Sequence, residues 1–322
     1  MQYGSSRKIG REGKECYMEE KPYRDLNGYY RSLFGCKIAK IALDGGFTCP
    51  NRDGTCGTRG CLFCSAGGSG DFAENAALSI AQQIEKGRAQ TAKKWADVKY
   101  IAYFQAFTNT YAPVAVLRQK FEEALAQPEI VGLSIATRAD CLPQDVIDLL
   151  KELSQKTKIW VEIGFQTANE QTAKIIRRGY DNAVFADAVQ RLHQAGISVI
   201  VHTILGLPGE TKEDVLHTMR YLNDLPIEGV KLQLLHVLEN TDLAQWYRMG
   251  KYEPLDLQTY VDWVCACISV LREDIVIHRL TGDGDRKTLL APTWSLSKRY
   301  VWNTLHKQMR TQNIRQGQNA KK

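Results

Sequence analysis

Short apolar segments recur along the chain from about residue 37, and longer amphipathic segments separate them. The apolar segments are rich in Val, Ile and aromatic residues, and several are apolar almost throughout. Both features are typical of parallel strands that are buried on two faces. The predicted strands are residues 37–43, 98–104, 130–136, 158–165, 197–205 and 229–238.

The segments between these strands have the residue spacing of amphipathic helices. Residues 181–195 begin at Asp181, a good N-cap, and Gly196 provides a stop. Residues 211–224 begin with the sequence Thr-Lys-Glu-Asp, which resembles a capping box with Asp in place of Glu or Gln. Further helices are predicted at residues 74–92, 113–126, 143–153 and 255–272.

Six strands that alternate with helices predict an α/β protein, built either on an open doubly wound sheet or on a barrel. No GxGxxG sequence follows the first strand and no P-loop sequence occurs, so a dinucleotide-binding Rossmann domain is disfavoured. In either architecture, the chemistry is expected at the carboxyl ends of the strands. The pattern changes past residue 240, so we predict a leader at 1–30, a core at 31–240, a C-terminal extension at 241–297 and a basic tail at 298–322.

Composition narrows the class of protein. The 322 residues are 44% hydrophobic and 24% charged, as in soluble globular proteins, and no apolar run approaches the roughly 18–20 residues that cross a bilayer. The polar N-terminus does not resemble a secretory signal, and nine cysteines cannot all pair in disulfides. We therefore expect a reduced, cytoplasmic protein with no membrane partner, in which a tight cysteine cluster indicates a metal site or catalysis.

The net charge of +6 is distributed unevenly. Residues 298–322 contain seven Lys or Arg residues and no Asp or Glu, so the rest of the chain is close to neutral. A basic tail beside a near-neutral body favours an anionic partner. The alternatives are a solvated, partly disordered terminus and an amphipathic helix that packs Val301, Leu305 and Met309 on the core.

A loop with several glycines and four cysteines follows the first predicted strand. Cys61 and Cys64 form a CxxC pair, and Cys49 lies twelve residues upstream of Cys61. Thiolates suit zinc or an iron–sulfur cluster. A zinc site could take Cys56 as its fourth ligand, and a redox pair would need only the CxxC. A cluster held by three cysteines would leave one iron open for a substrate or cofactor, as a catalytic metal requires.

The sequences CPNRDGT and GxxGCLFC in this loop resemble the cluster-binding loop of radical S-adenosylmethionine (SAM) enzymes. They are similar in particular to the YhcC/YtqA-like group, relatives of the radical SAM domain of the Elongator catalytic subunit, over about residues 22–310. The resemblance implies a partial (β/α)6 TIM-like barrel with a C-terminal extension. It also implies a [4Fe–4S] cluster and SAM as cofactors, with Cys49, Cys61 and Cys64 as the cluster ligands. Cys56 does not match a ligand position.

The same resemblance implies that SAM is held by residues at the ends of the predicted strands. Glu162 would hydrogen-bond the ribose, Arg138 would pair with the SAM carboxylate and Phe63 would pack on the adenine. His202 stands near a position where the family often has Gly. The whole implied set is Phe63, Gln105, Asn109, Ser134, Arg138, Glu162, Gln166 and His202.

Taken one at a time, these residues also have structural interpretations. Gln105 and Asn109 could be satisfied loop residues, and Glu162 could form an ion pair, for example with Arg138. His202 could be a buried, hydrogen-bonded histidine, which is the commoner case for such a position. Their shared location at predicted strand ends is what favours a site.

The resemblance implies an enzyme that cleaves SAM reductively to a 5′-deoxyadenosyl radical, using a reductase or a flavodoxin- or ferredoxin-type protein as electron donor. It points to tRNA, and to the side chain of the wobble uridine, as the substrate. The tail supports an RNA partner independently, since its basic residues are interleaved with Tyr300, Trp302 and His306. The alternatives are a radical SAM enzyme acting on a protein or small molecule and a non-catalytic, zinc-containing RNA-binding protein.

Overall fold

The strands of the main sheet pair in chain order, and all neighbours run parallel. The computed structural model describes residues 21–68, 73–95, 97–282 and 284–320, so most of the predicted leader, with Cys16, lies outside the described residues. Because parallel strands twist relative to one another, the sheet curls into a half-barrel. Its strands are β1 (Lys37–Leu43), β2 (Val98–Phe104), β3 (Ile130–Thr137), β4 (Lys158–Gln166), β5 (Ser198–Leu205), β6 (Gly229–Leu234) and β8 (Val276–Arg279).

The predicted α/β fold with a partial TIM-like barrel is confirmed, and the strand count is corrected from six to seven. The seventh strand, β8, belongs to the C-terminal extension and pairs in parallel with β6. The sequence pattern does not reveal this strand because only its first two residues, Val276 and Ile277, are buried apolar side chains. The C-terminal extension therefore contributes to the barrel wall. The predicted boundaries between leader, core, extension and tail stay a prediction.

The segment predicted as one strand over residues 229–238 is two strands. After Leu234 the chain leaves the main sheet, and Val237–Leu238 (β7) pairs antiparallel with Leu289–Ala291 (β9). The residues of both parts are largely buried, so hydrophobicity alone cannot locate the break.

Polar side chains at the N-termini explain where several helices begin. Asp181 caps its helix as predicted, and Thr211 and Asp214 form the predicted capping box. The helix predicted over residues 74–92 begins only after Ser79, which forms a capping box of its own. None of the helices formed by the described residues is long and apolar enough to cross a membrane. The helices are α1 (Leu26–Phe34), α2 (Ile80–Ala92), α3 (Val114–Leu125), α4 (Gln144–Ser154), α5 (Glu170–Ile175), α6 (Asn182–Gln194), α7 (Lys212–Asn223), α8 (Asp242–Arg248), α9 (Leu257–Val270) and α10 (Lys298–Thr311).

Apolar layers lie on both faces of the sheet, as the nearly continuous apolar strands predict. The larger layer fills the space between the strands and the outer helices. The smaller layer lies inside the barrel near the amino ends of the strands, where α1 packs against them. This arrangement leaves the carboxyl ends of the strands for chemistry. The buried members of the smaller layer are Tyr30, Ile38, Ile101, Trp160 and Ile200.

The basic tail is largely a helix, α10, that packs on α9. Val301, Leu305 and Met309 are buried in the core, and most of the basic residues of the helix are exposed. Beyond the helix, the Gln316 side chain donates hydrogen bonds to two backbone carbonyls at 2.6 and 2.7 Å. The amphipathic-helix interpretation is therefore confirmed, and a disordered terminus is wrong for residues 298–320.

Candidate active site

The cysteine-rich loop leaves the carboxyl end of β1 and folds back on itself. The backbone carbonyl of Cys49 accepts hydrogen bonds from the amides of Arg52 and Asp53 at 2.8 and 3.2 Å. The amide of Cys64 donates to the carbonyl of Cys61 at 3.1 Å. The amide of Gly60 donates to the carbonyl of Asn51 at 2.7 Å, which joins the two halves of the loop.

The loop is fastened to the barrel through its backbone. The amide of Leu62 donates to the carbonyl of Ile176 at 3.1 Å, and the carbonyl of Leu62 accepts from the amide of Leu243 at 2.9 Å. Asp242 pairs with Arg177 at 2.5 Å and with Arg59 of the loop at 2.6 Å. The loop is thus held between the segment after α5 and the start of α8.

The three predicted cluster ligands differ from Cys56 in exposure. Cys49, Cys61 and Cys64 are partly buried, whereas Cys56 is exposed. The side-chain amide of Asn51 donates toward the Cys61 sulfur at 3.5 Å. All described cysteines are free thiols.

The loop favours a thiolate at Cys61. A hydrogen bond from Cys64, together with that from Asn51 and the charges of Arg138 and Arg177, outweighs burial and lowers the pKa of the Cys61 thiol to about 6. The same hydrogen bond raises the pKa of Cys64 well above its usual value, as expected for two thiols that share one proton. Positive side chains beside soft sulfur donors suit the binding of an iron–sulfur cluster.

Within the described residues, no group of three or more His, Cys, Asp or Glu side chains is placed so that it could hold a metal ion. Zinc and a four-iron cluster both take thiolate ligands, so the geometry alone does not separate these two interpretations of the loop.

Several of the predicted SAM-binding residues lie together at the carboxyl ends of the strands. The amide of Gln105 donates to the Leu43 carbonyl at 3.1 Å, just past β2. Asn109 is fully buried, and its side-chain nitrogen donates to the Ala136 carbonyl at 2.9 Å. Its side-chain oxygen has no hydrogen-bond partner among the described residues. Gln166 ends β4 with a left-handed backbone, φ +70°, at an irregularity in the strand pairing.

Arg138, just after β3, already has a carboxylate partner. Its guanidinium makes two hydrogen bonds to Asp140, at 2.9 and 2.6 Å, and a third to the carbonyl of Arg178 at 2.8 Å. This bidentate geometry is the one with which arginine recognises carboxylates. A bound carboxylate would therefore compete with Asp140 for Arg138.

Glu162 lies deeper in the barrel and is completely buried. One carboxylate oxygen contacts Lys40 Nζ and Ser134 Oγ, each at 2.5 Å. The other contacts His202 Nε2 at 2.6 Å and Lys231 Nζ. These four partners occupy the roughly four lone-pair sites of a carboxylate. Glu162 therefore has no free lone pair for the ribose contact that the resemblance implies. The alternative of an ion pair with Arg138 is wrong, because Lys40 and Lys231 pair with Glu162 instead.

The charges of this interior network are strongly coupled. Burial alone would raise the pKa of Glu162, but Lys231 and Lys40 hold it well below its usual value. Burial lowers the pKa of Lys231 to about 7, because its effect is larger than the opposing effect of the Glu162 charge. For His202, burial and the charge of Lys231 lower the pKa to about 4 despite the carboxylate beside it. His202 is therefore neutral near pH 7, and its interpretation as a buried, hydrogen-bonded histidine agrees with the structure.

Sequence reasoning missed three residues of the network, Lys40, Tyr103 and Lys231. The Lys231 ammonium lies 3.2 Å from the Tyr103 hydroxyl, and both lysines lie over the Tyr103 ring. A signal was present, since Lys40 lies within the apolar run 38–43 of β1 and Lys231 lies in β6, whose residues are mostly buried. The tyrosine had no comparable signal, because aromatic residues are ordinary in strands.

Phe63 lies beside a separate small apolar cluster on the barrel. Its ring is partly buried against residues that include Leu62, Ile204 and Leu235. Because the cluster contains the carboxyl ends of β5 and β6, Phe63 lies at the same end of the barrel as the cysteine loop. This is the location that the resemblance implies for an aromatic residue facing a cofactor.

With the cysteine loop at the carboxyl end of a curled parallel sheet, the chain belongs to the radical SAM superfamily. Residues 54–222, more than half of the chain, match the superfamily model, and residues 227–311 match the Radical_SAM C-terminal domain. Membership implies a [4Fe–4S] cluster and SAM as cofactors. The matched segment contains Cys61 and Cys64, and Cys49 lies just upstream of it.

Individual relatives confirm the predicted subgroup. The uncharacterized protein YtqA of Bacillus subtilis is 46% identical over 298 residues, which are 92% of this chain and 92% of YtqA. The tRNA uridine(34) acetyltransferase of Dehalococcoides mccartyi is 33% identical over 161 residues, 49% of this chain and 34% of that enzyme. The structure of archaeal Elp3 from Methanocaldococcus infernus, lacking its N-terminus, shares the fold with a TM-score of 0.67 at 16% identity, covering 87% of this chain and 64% of that chain.

Proposed function

We propose that this radical SAM enzyme modifies tRNA at the side chain of the wobble uridine. The observation that carries the radical SAM part of the proposal is the three-cysteine loop at the carboxyl ends of the barrel strands in a chain of this superfamily. When bound, the cluster and SAM supply the 5′-deoxyadenosyl radical. The residues of the chain bind the two groups, orient them and keep water away.

In this proposal Cys49, Cys61 and Cys64 hold the cluster, and Cys56 does not. The first three are partly buried on one compact loop, and the lowered pKa of Cys61 favours a thiolate ligand at neutral pH. Cys56 is exposed to solvent instead. Three cysteine ligands leave one iron of the cluster with an open coordination position for SAM.

SAM is held at the carboxyl ends of the strands by Phe63, Gln105, Asn109, Arg138 and Gln166. The unpartnered oxygen of Asn109 needs a donor, and the SAM amino group provides one. Arg138 takes the SAM carboxylate in exchange for Asp140. The interior network of Ser134, Glu162 and His202 acts as a positioning layer below SAM and not as a direct contact.

The proposed tRNA partner rests on two supports. One is the relative named as a tRNA uridine(34) acetyltransferase, although it matches only half of this chain. The other is α10, which presents exposed Tyr300 and Trp302 beside exposed basic residues, a combination suited to phosphates and bases. We place the enzyme in the cytoplasm, where its free thiols stay reduced. A reductase or a flavodoxin- or ferredoxin-type protein reduces the cluster.

Two measurements test the proposal. Anaerobic reconstitution should give close to four irons per chain and reductive SAM cleavage; one tightly bound zinc without cleavage would show a zinc-containing RNA-binding protein instead. Nucleoside mass spectrometry should then find a wobble-uridine derivative in tRNA from cells that have the gene and not in tRNA from cells that lack it. SAM cleavage with identical nucleoside profiles would redirect the search to a protein or small-molecule substrate.

A further inference from the structure

The half-barrel leaves a seam between its first and last strands, and a cavity of about 480 Å³ lies there. Its walls come from β1, β8, α1 and α10. Sites for small molecules typically measure about 300–1,000 Å³. The β1 residues that line it are Lys37, Ile38 and Lys40, whereas the cysteine loop follows the carboxyl end of that strand. The cavity is therefore separate from the cysteine loop, and it adjoins the interior network of Glu162 through Lys40.

Two side chains that line this seam cavity have buried polar atoms without partners. Both ring nitrogens of His278 and the hydroxyl of Tyr30 are buried and lack a hydrogen-bond partner among the described residues. The two rings lie 6.5 Å apart, and Tyr30 is only 4% exposed. Buried polar atoms are rarely left unsatisfied, so these atoms need a polar partner, which a ligand or a water in the cavity would provide.

Cationic side chains line the cavity. Among its described residues, Lys21, Lys37, Lys40 and Arg279 are cationic and Asp25 is anionic. Asp25 is paired with Lys21 at 2.9 Å, and Lys40 is paired with the buried Glu162 at 2.5 Å. Lys37 donates instead to the neutral Asn27 at 2.8 Å, so its charge favours an anionic group such as a phosphate.

Aromatic side chains lie at the outer side of the same cavity. Trp302 of α10 lines it and is half exposed, and its ring stacks on His306 with centroids 3.8 Å apart. Tyr23 also lines the cavity, with its hydroxyl 3.3 Å from His306. An exposed aromatic face beside basic side chains is the arrangement on which nucleobases stack.

We propose that the seam cavity binds a nucleotide. Its base stacks on Trp302, its phosphate lies toward Lys37, and a polar edge of the ligand satisfies His278 and Tyr30. The ligand is either a free nucleotide or one nucleotide of an RNA strand, since the recognised chemistry is the same. Only the second source rests on the proposed function.

The test is isothermal titration of adenosine monophosphate (AMP) into the full chain, reconstituted with its cluster and saturated with SAM so that the cofactor site is occupied. We expect saturable 1:1 binding, and weaker binding of adenosine and of inorganic phosphate alone. Trp302→Ala should weaken AMP binding about tenfold, within the range for loss of one base–aromatic stack. Tyr247→Ala, which removes an exposed aromatic residue outside the cavity, should leave the AMP affinity unchanged.

His278→Phe provides a second variant that tests the inner end of the site. It keeps an aromatic ring but removes the unpartnered nitrogens, so the folded protein should be at least as stable and should bind AMP more weakly. Absence of AMP binding, or binding that neither Trp302→Ala nor His278→Phe weakens, would overturn the proposal. A large loss of stability in His278→Phe with unchanged AMP affinity would show that the histidine is structural, and would also overturn it.

A short single-stranded RNA distinguishes the two sources. Tighter binding of a trinucleotide than of AMP, with the same loss in Trp302→Ala, supports an RNA nucleotide; equal or weaker binding supports a free nucleotide. None of these measurements needs SAM cleavage or tRNA modification. Failure of nucleotide binding is therefore distinguishable from failure of the proposed function.

Discussion

The Nε2 atom of His202 lies 2.6 Å from a carboxylate oxygen of Glu162 in the interior of the barrel. The pair joins β5 to β4, and Lys40 and Lys231 extend it to β1 and β6. A network of charged side chains thus crosses the interior, just above the apolar layer that α1 packs against. Because a buried charge is tolerated only when it is paired and hydrogen-bonded, each member depends on the others.

Glu162→Gln should destabilise the protein strongly. The substitution removes the negative charge that compensates Lys40 and Lys231 inside the barrel, and breaking a buried pair in this way typically costs about 3–5 kcal/mol. Chemical denaturation of the variant measures the loss in free energy of unfolding. The matched control is Glu152→Gln, which removes an exposed ion pair with Arg118 and should change stability little. Equal small effects in both variants would mean that the network does not support the fold.

His202 should make stability depend on pH between about 6.5 and 4. The pKa of His202 is lowered to about 4 in the folded protein, so as pH falls the unfolded state takes up the proton first, near its usual value of about 6.5. His202 therefore does not destabilise the folded protein above pH 6.5 and destabilises it increasingly toward pH 4, by an amount on the order of 3 kcal/mol.

His202→Gln tests this dependence, because glutamine can donate to Glu162 but does not titrate. The free energy of unfolding, measured from pH 7 to pH 4.5, should fall less steeply in the variant than in the unmodified protein. The exposed His217→Gln serves as the control and should keep the original slope. Parallel curves for His202→Gln and the unmodified protein would contradict the lowered pKa.

Six strands of the barrel wall and the cysteine loop could be predicted from the sequence, whereas the seventh strand and the interior network could not. Strand bounds follow from continuous apolar runs, and β1 and β2 begin and end where predicted. Which side chains meet inside a barrel depends on register: Glu162 on β4 reaches Lys40 on β1 only because the sheet curls. Strand β8 was not predicted, because two apolar residues give no periodic signal.

Replacing Cys49, Cys61 or Cys64 by Ala, one at a time, should reduce the bound iron to a residual amount. The reason is that the three thiolates are the proposed cluster ligands. Cys56→Ala is the matched control on the same loop and should keep the full iron content, since that thiol is exposed. Iron and sulfide analysis, with the visible absorption of the reconstituted protein, measures both. If Cys56→Ala lost the cluster and Cys49→Ala kept it, the first ligand would be Cys56 instead.

The basic face of α10 should bind the phosphates of tRNA. Deleting the tail is not a clean test, because Val301, Leu305 and Met309 are buried and their loss would expose the core. Replacing the exposed Arg299, Lys307 and Arg310 by Gln changes the charge and leaves the packed face intact.

These three replacements should weaken tRNA binding and reduce the slope of log K against log salt by about 0.7–0.9 for each phosphate that the variant no longer neutralises. Filter binding or fluorescence anisotropy at several salt concentrations measures the slope. The matched control replaces Lys93, Lys151 and Lys156, three exposed lysines elsewhere on the surface, and should shift the slope less. Equal slopes for the two triple variants would exclude α10 as a specific RNA-binding face, because the effect would then depend only on net charge.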